Sequence, residues 1–545
     1  MDGTEAATTP TTERFHGSLP PRGLAGTPSS PLSSARFGRM FRHLPVYAPD
    51  DGSLEALGKK MIQGLEKGEL DKALGEPDED ENTALLGEEL RLPAGYTYFG
   101  QFVDHDITFD PVSSLTRQND PDGLEDFRTP RFDLDSLYGR GPADQPYLYD
   151  EKGVHLLLGK KVSESNEAVA GPDLQRNAEG RALIGDPRND ENLIVSQLQA
   201  TFIKFHNRVL DRVGEKNPHL TKDDVFKLAQ KEVRWHYQWV VIHDFLPRLV
   251  GQDVVDDILS PEAYVTPTGT QASTPVPRLR FYSWHEQPYM PVEFSVAAYR
   301  FGHSMIRPSY LINQVARTDP ELEGVHRIRL FLQGGEERQS LNGFRPLPGE
   351  WGVQWRFFLA GIEDGLPTEE HLPQPSYEID AELSNPLGEL PEPGAGPEAI
   401  GTSDPKDAQD LAIRNLIRGK RLGLPAGQDV SRAMGIEPLS DEELFDGLEI
   451  GEEARKDLAG RAPLWFYILK EAELRAESAH LGPVGGRIVA EVLIGLLAGD
   501  PLSYLGVQPN WKPTLPARGE GFTLSDLINV AIPAPNTPAP PSYGG

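Results

Sequence analysis

Apolar side chains recur along this chain mostly at helical spacing. Val195, Leu198, Phe202, Phe205, Val209 and Val213 fall at three- and four-residue steps, with Gly214 placed to close the helix. Thr221 with Asp224 resembles a capping box ahead of Val225, Phe226, Leu228 and Val233. The pattern predicts another helix from Val292 to Ile306, bounded by Pro291 and Pro308, and one from Ser403 to Arg418 with Leu411 and Ile413 apolar. Short candidate strands such as Leu279-Arg280-Phe281-Tyr282 are few. The predicted fold class is mainly α with little β-structure.

Polar, Pro- and Gly-rich stretches divide the chain. Residues 1–35 read as a disordered lead-in and 531–545 as an unpacked Ala-Pro tail. Between them, 36–530 reads as a single large domain, interrupted by a Pro/Gly/Glu-rich loop over 385–406. No repeat of solenoid period is present, so one core carries every motif.

Composition narrows the chemistry. Of 545 residues 38% are hydrophobic, enough for a sizeable core. The formal charge of −30, from 53 basic and 83 acidic residues, argues against nucleic acid or an anionic membrane as partner. A soluble, self-repelling surface has the same balance. With no cysteine, the chain cannot form disulfides, thiolate-ligated haem or cysteine-held iron–sulfur clusters. No apolar run is long enough to span a membrane; the best, around Ile488–Ala498, contains Glu491. The acidic start lacks the basic and apolar regions of a secretory signal. The expectation is a soluble protein, cytoplasmic or exported without a leader, of open oligomeric state.

Three segments carry candidate chemistry. In Gly100-Gln101-Phe102-Val103-Asp104-His105-Asp106, Gln101 and His105 share a helix face, while Asp106 turns roughly 100° away toward a different site. An imidazole with a pKa of about 6.5 can accept and return a proton near neutrality, as heterolysis of hydrogen peroxide requires. A packed, hydrogen-bonded core histidine has the same local sequence. In Gly185-Asp186-Pro187-Arg188-Asn189-Asp190-Glu191, Arg188 could stabilise charge on a departing oxygen, or be an exposed turn residue. Glu191 lies three residues on, sharing that side of the helix start. In Tyr299-Arg300-Phe301-Gly302-His303, Gly302 admits close approach of a flat ligand, and His303 could be an iron ligand or a satisfied core residue. Asn415 is a candidate partner for the other imidazole nitrogen.

These motifs, in this order from about Leu92 to Pro501, resemble the animal-type haem peroxidase family of the peroxidase–cyclooxygenase superfamily, in a bacterial branch. The resemblance implies haem b held by His303, with Asn415 beside it and Arg300 toward a haem propionate. It implies His105 as acid/base, with Arg188 and Gln101 beside it, and Asp104 and Glu191 at two ester-forming positions. Thr129-Pro130-Arg131-Phe132-Asp133-Leu134-Asp135 resembles the family's calcium loop. The implied ligands are Asp106, Thr129, the Arg131 carbonyl, Asp133 and Asp135. Asp135 replaces the usual serine, and Arg131 an aromatic residue. Asn192 stands where some members carry a sulfonium-forming methionine, so no such link is expected. Phe205-His206-Asn207-Arg208 reads as structural.

The implied activity is reduction of hydrogen peroxide with oxidation of a small donor, a halide, thiocyanate or phenol, with a place in the response to oxidative stress. Two alternatives stand beside it: a fatty-acid dioxygenase of the same superfamily, and a non-catalytic haem-binding protein. The dioxygenases need a radical-forming tyrosine three residues before the proximal histidine. Arg300 occupies that position, and on a regular helix Tyr299 would face elsewhere. Hydrolase motifs are absent.

Overall fold

The computed structural model describes residues 36–62, 92–109, 119, 126–161, 171–259, 277–285, 287–317, 327–332, 339–365, 373–391, 407–519 and 521–534. The predicted lead-in and most of the 385–406 loop lie outside these. Of that loop, Asn385–Gly388 forms a 3-10 turn. The predicted tail begins too early, because Ala531 is the buried last residue of the helix Leu524–Ala531.

Helices dominate. Among the described residues the strands are two-residue pairs: Phe37–Gly38 parallel to Met290–Pro291, and Ser309–Tyr310 antiparallel to Ile328–Arg329. Six helices frame the site: α1 (Ala94–Ile107), α2 (Leu193–Lys216), α3 (Lys222–Val240), α4 (Leu411–Arg421), α5 (Leu464–Ala476) and α6 (Pro483–Gly499). α1 is buried on nearly every side, as its apolar circumference requires. It packs on α2, where Phe102 stacks on Phe202 with centroids 4.4 Å apart.

α2 follows the predicted period but runs two residues past Gly214. Its cap is Asn192, whose side chain accepts from the Val195 N–H. Thr221 caps α3 as predicted, accepting from Asp224 N, while its hydroxyl donates to the Asp224 carboxylate. α3 continues through a π-helical turn, Val241–Phe245, into Leu246–Val250. α4 starts at Leu411, later than expected, because Asp410 caps it by accepting from Ile413 N.

Two predictions fail for identifiable reasons. The strand expected at Leu279–Tyr282 does not form. Its backbone N–H groups at 280, 281 and 282 are taken instead by the buried Glu491 carboxylate of α6, at 2.9, 2.7 and 2.9 Å. The regular helix expected over Val292–Ile306 is also absent. A π turn, Glu293–Ala297, meets a 3-10 segment, Ala298–His303, at a kink where Ala297 has φ −128° and ψ −74°. Among the described residues no helix is long and apolar enough to cross a membrane.

Candidate active site

A cavity of about 250 Å³ lies among α1, α4 and the Ala298–His303 segment. Gln101, Asp104, His105, Arg188, Glu191, Arg300, His303 and Asn415 all line it. The motifs read as separate in sequence therefore converge on one chamber, as expected.

His105 sits at the end of α1, 4% exposed. Its Nδ1 lies 2.7 Å from Asn189 Oδ1. Asn189 Nδ2 donates to Gln199 Oε1 at 2.8 Å, and Gln199 Nε2 donates to the Ser136 carbonyl at 3.3 Å. The carbonyl at the end of this row orients both amides. Asn189 thus presents oxygen to His105, so Nδ1 carries the proton and Nε2 is the basic nitrogen. Asn189 and Gln199 were not singled out in the sequence, where the first reads as turn filler and the second as an ordinary helix residue.

Glu191 Oε1 is 3.6 Å from His105 Nε2 and accepts from Gln101 Nε2. Asn192 Nδ2 donates to Gln101 Oε1 at 3.1 Å. The residue that caps α2 with its oxygen thus holds Gln101 with its nitrogen. Arg188 and Glu191, at the two ends of a 3-10 turn, fall on one side because three residues complete a turn there.

Arg188 is more committed than expected. Its Nε and Nη2 bond Asp186, and Nη2 also donates to the carbonyls of His105 and Thr108, at 3.0 and 2.8 Å. Its guanidinium lies 4.4 Å from the Phe109 ring centroid. Against the penalty of burial, Arg128 and Arg188 hold the Asp186 carboxyl well below the usual range. Burial pushes Asp104 up to about 6, with Arg188 and Arg300 opposing.

His303 ends the 3-10 segment. Its Nδ1 is 2.9 Å from Asn415 Nδ2, and Asn415 Oδ1 accepts from Arg300 Nη1 at 2.9 Å. Asn415 thus gives its carbonyl to Arg300 and turns its amide nitrogen toward His303. Arg300 Nε also donates to the Ser295 carbonyl. Beside Gly302 a Cβ would meet nothing within 4 Å, so the space next to His303 is open to a flat group. Tyr299 corrects the sequence expectation. It lines the same chamber, with its hydroxyl donating to the Gly100 carbonyl at 3.2 Å. The chamber borders Tyr299, Arg300, Phe301, Gly302 and His303 in succession, so residues from more than one side of the 3-10 segment reach it.

One turn away from the chamber, Asp106, Asp133 and Asp135 bring carboxylate oxygens within 4.8 Å of one another. Asp106 accepts from Leu134 N and the Ser136 hydroxyl, both at 3.2 Å. Burial, then the charges of Asp133 and Asp135, raise its pKa well above the usual value. Thr129 Oγ1 donates to Asp133 at 2.8 Å. The Arg131 side chain points to Asp500, 3.6 Å away. Arg234 and Gln238 of α3 tie down the loop through the Asp133 and Phe132 carbonyls.

His206 is structural, as expected. Its Nε2–H donates to the Val154 carbonyl at 3.0 Å, and its Nδ1 accepts from Tyr138 at 3.0 Å.

Residues 116–334 match the model of the family described as animal haem peroxidase. Thyroid peroxidase of Rattus norvegicus is 22% identical over 428 residues, covering 73% of this chain and 40% of its own length. The chain thus spans about two fifths of that relative. Among solved structures, peroxidase A of Dictyostelium discoideum superposes with a TM-score of 0.51 at 15% identity, over 94% of this chain and 93% of that one. A fatty acid alpha-dioxygenase of Arabidopsis thaliana gives 0.54 at 16%, over 90% and 77%. At these identities the two structures speak to the fold alone.

Proposed function

We propose that this chain is a haem peroxidase, a reading supported by the match of residues 116–334 to the animal haem peroxidase family. It reduces hydrogen peroxide and oxidises a small donor, a halide, thiocyanate or phenol. The observation that carries this reading is that His105 and His303, from distant segments, line one chamber with Gln101 and Arg188.

The chamber suits haem b. His303 has Nδ1 engaged by Asn415 and keeps Nε2 for a metal, with open space beside Gly302. Arg300 answers a haem carboxylate by charge. A carboxylate that draws Arg300 away leaves the Asn415 carbonyl to accept the His303 Nδ1 proton, which makes the imidazole a stronger donor. Haem, when bound, takes up the oxidising equivalents of peroxide and passes them to the donor. His105 Nε2 takes the proton from one peroxide oxygen and returns it to the other, which leaves as water. Asn189 keeps the opposite nitrogen protonated throughout. Arg188 places positive charge at the chamber wall, softened by Asp186. Gln101, held by Glu191 and Asn192, offers a fixed amide to the incoming peroxide.

Asp104 and Glu191, which both line the chamber, are the carboxylates assigned here to ester links with haem. A calcium ion fits the oxygen set of Asp106, Thr129, the Arg131 carbonyl, Asp133 and Asp135, because three clustered carboxylates repel without a cation.

A visible spectrum of haem-loaded protein, before and after peroxide, tests the reading. His303→Ala should lose most of the haem, and His105→Ala should keep it while reacting about 10²–10⁴-fold more slowly. Full haem and full activity in both variants would refute both assignments.

The second reading is a fatty-acid dioxygenase, favoured by Tyr299 in the chamber wall. Arg300, at the third position before His303, favours the peroxidase. An oxygen electrode separates them. Fast, peroxide-primed uptake with linoleate that is lost in Tyr299→Phe would promote the dioxygenase.

A further inference from the structure

The helix that walls the chamber also reaches a surface cluster of oxidisable rings. Phe245 lines the chamber, 5.3 Å from Phe99 and stacked on Tyr96. In its last two turns α3 carries Trp235 and Trp239, and His243 stands in the π turn between Trp239 and Phe245. Trp239 packs on His243 with centroids 3.9 Å apart, and on Tyr504 and Trp511 at 5.9 and 6.0 Å. Trp511 also meets Tyr504 at 5.7 Å and Trp235 at 5.5 Å. Three indoles and a phenol thus form one contiguous group.

This group lies just beneath the surface. Leu502 and Val507, each 56% exposed, flank Tyr504 in sequence. Lys512 and Lys231 lie over the faces of Trp239 and Trp235, at 5.2 and 4.8 Å. The Tyr504 hydroxyl is 2.9 Å from His243 Nε2. Desolvation of the His243 ring, then the Lys512 charge, push its pKa down to about 4. At neutral pH the ring is uncharged, and Nε2 can accept the phenolic proton.

We propose that Tyr504, with Trp239 and Trp511, is a second oxidation site, serving phenolic donors too bulky for the chamber. The proposal rests on the peroxidase reading. Trp239 and the chamber-lining Phe245 stand six positions apart on one continuous helical segment, which brings the ring cluster close to the chamber wall. Haem held by His303 would supply the one-electron oxidant, and Tyr504 would give up one electron to it. The phenolic proton moves to His243 Nε2, leaving a neutral phenoxyl radical. A phenol at the surface then gives one electron to that radical and its own proton to solvent. His243 returns the first proton, and Tyr504 is restored. The external phenol leaves as its radical.

The test uses haem-loaded, full-length protein, hydrogen peroxide and a nitroso spin trap, with adducts located by peptide mass spectrometry. Two donors are compared: iodide, which fits the chamber, and a phenol coupled to a dextran carrier, which does not. The proposal expects adducts on Tyr504, Trp239 or Trp511 and oxidation of both donors. In Tyr504→Phe the Tyr504 adduct disappears and carrier-phenol oxidation falls at least about 10-fold, while iodide oxidation is unchanged. His243→Gln keeps the Tyr504 ring and lowers the adduct yield by removing the proton acceptor. Adducts confined to other residues, or carrier-phenol oxidation unaffected in both variants, would overturn the proposal while leaving the peroxidase reading intact. Absence of any peroxide-induced spectral change, with iodide also unoxidised, would instead remove the peroxidase reading and this site with it.

Discussion

His105 Nδ1 and Asn189 Oδ1 are 2.7 Å apart, and that bond decides which imidazole nitrogen is the base. Asn189 is in turn oriented by Gln199. Replacing Asn189 by Leu should free the tautomer and slow the reaction with peroxide by about 10²-fold, the lower end of what acid–base help supplies. Haem content should stay constant, which separates this from collapse of the chamber. Asn189→Asp should move the acid limb of the rate profile to higher pH, because a carboxylate stabilises the imidazolium. Stopped-flow rates across pH check both. Unchanged rates and profiles in both variants would show that Asn189 does not set the base.

Asp106 adjoins His105, so the proposed calcium site should be coupled to the chamber. Elemental analysis is expected to find about one calcium per chain. Prolonged chelation should lower both the melting temperature and the peroxide-driven activity, and added calcium should restore them. Asp133→Asn should weaken retention of the ion. Protein that is calcium-free yet normal in stability and activity removes this site.

Asp104 and Glu191 both line the chamber. After repeated peroxide turnover, part of the haem should resist acidic organic extraction, and haem peptides should map to these two residues. Asp104→Asn and Glu191→Gln should each remove one link. Complete extraction from turned-over, active protein contradicts the ester assignment.

His206 makes a prediction about acid stability. Burial lowers its pKa in the fold to about 4, from 6.5. Below pH 6.5 the unfolded chain takes up a proton that the folded chain refuses. Stability is therefore fully present above that value and lost as pH falls toward 4. The gap corresponds to roughly 3 kcal/mol at most. His206→Gln should be less stable at pH 7 but lose less melting temperature between pH 7 and 4.5 than the parent. An equal loss in both proteins would assign the acid sensitivity to other groups.

Much of the site was legible because its parts are short motifs. Gln101, Asp104 and His105 occupy adjacent helical turns, so periodicity alone directs two of them to one face and Asp106 to another. Asn415 was legible only as a candidate, since nothing local shows that α4 packs near His303. Tyr299 was misread because sequence spacing cannot show that the chamber borders more than one side of its segment. At Leu279–Tyr282 the alternating pattern was real, but a buried carboxylate, distant in sequence, satisfied the backbone that a partner strand would have paired. Asn189 carries no signal beyond a turn, and Asn192 is read only for the methionine it replaces, although the structure makes it the cap of α2. Each amide has a second end left for the site.

The bond between Asn415 and His303 closes a span of 112 residues, and that between His105 and Asn189 a span of 84. Contacts this far apart in sequence are repaid only after the chain entropy of long loops has been lost, so they form late in folding. The chamber is consequently a product of the completed fold. Haem capture should follow folding, and no fragment cut from the middle of the chain can reproduce it. A piece limited to 116–334, the extent of the family match, would contain His303 and Arg188 but lack both His105 and Asn415.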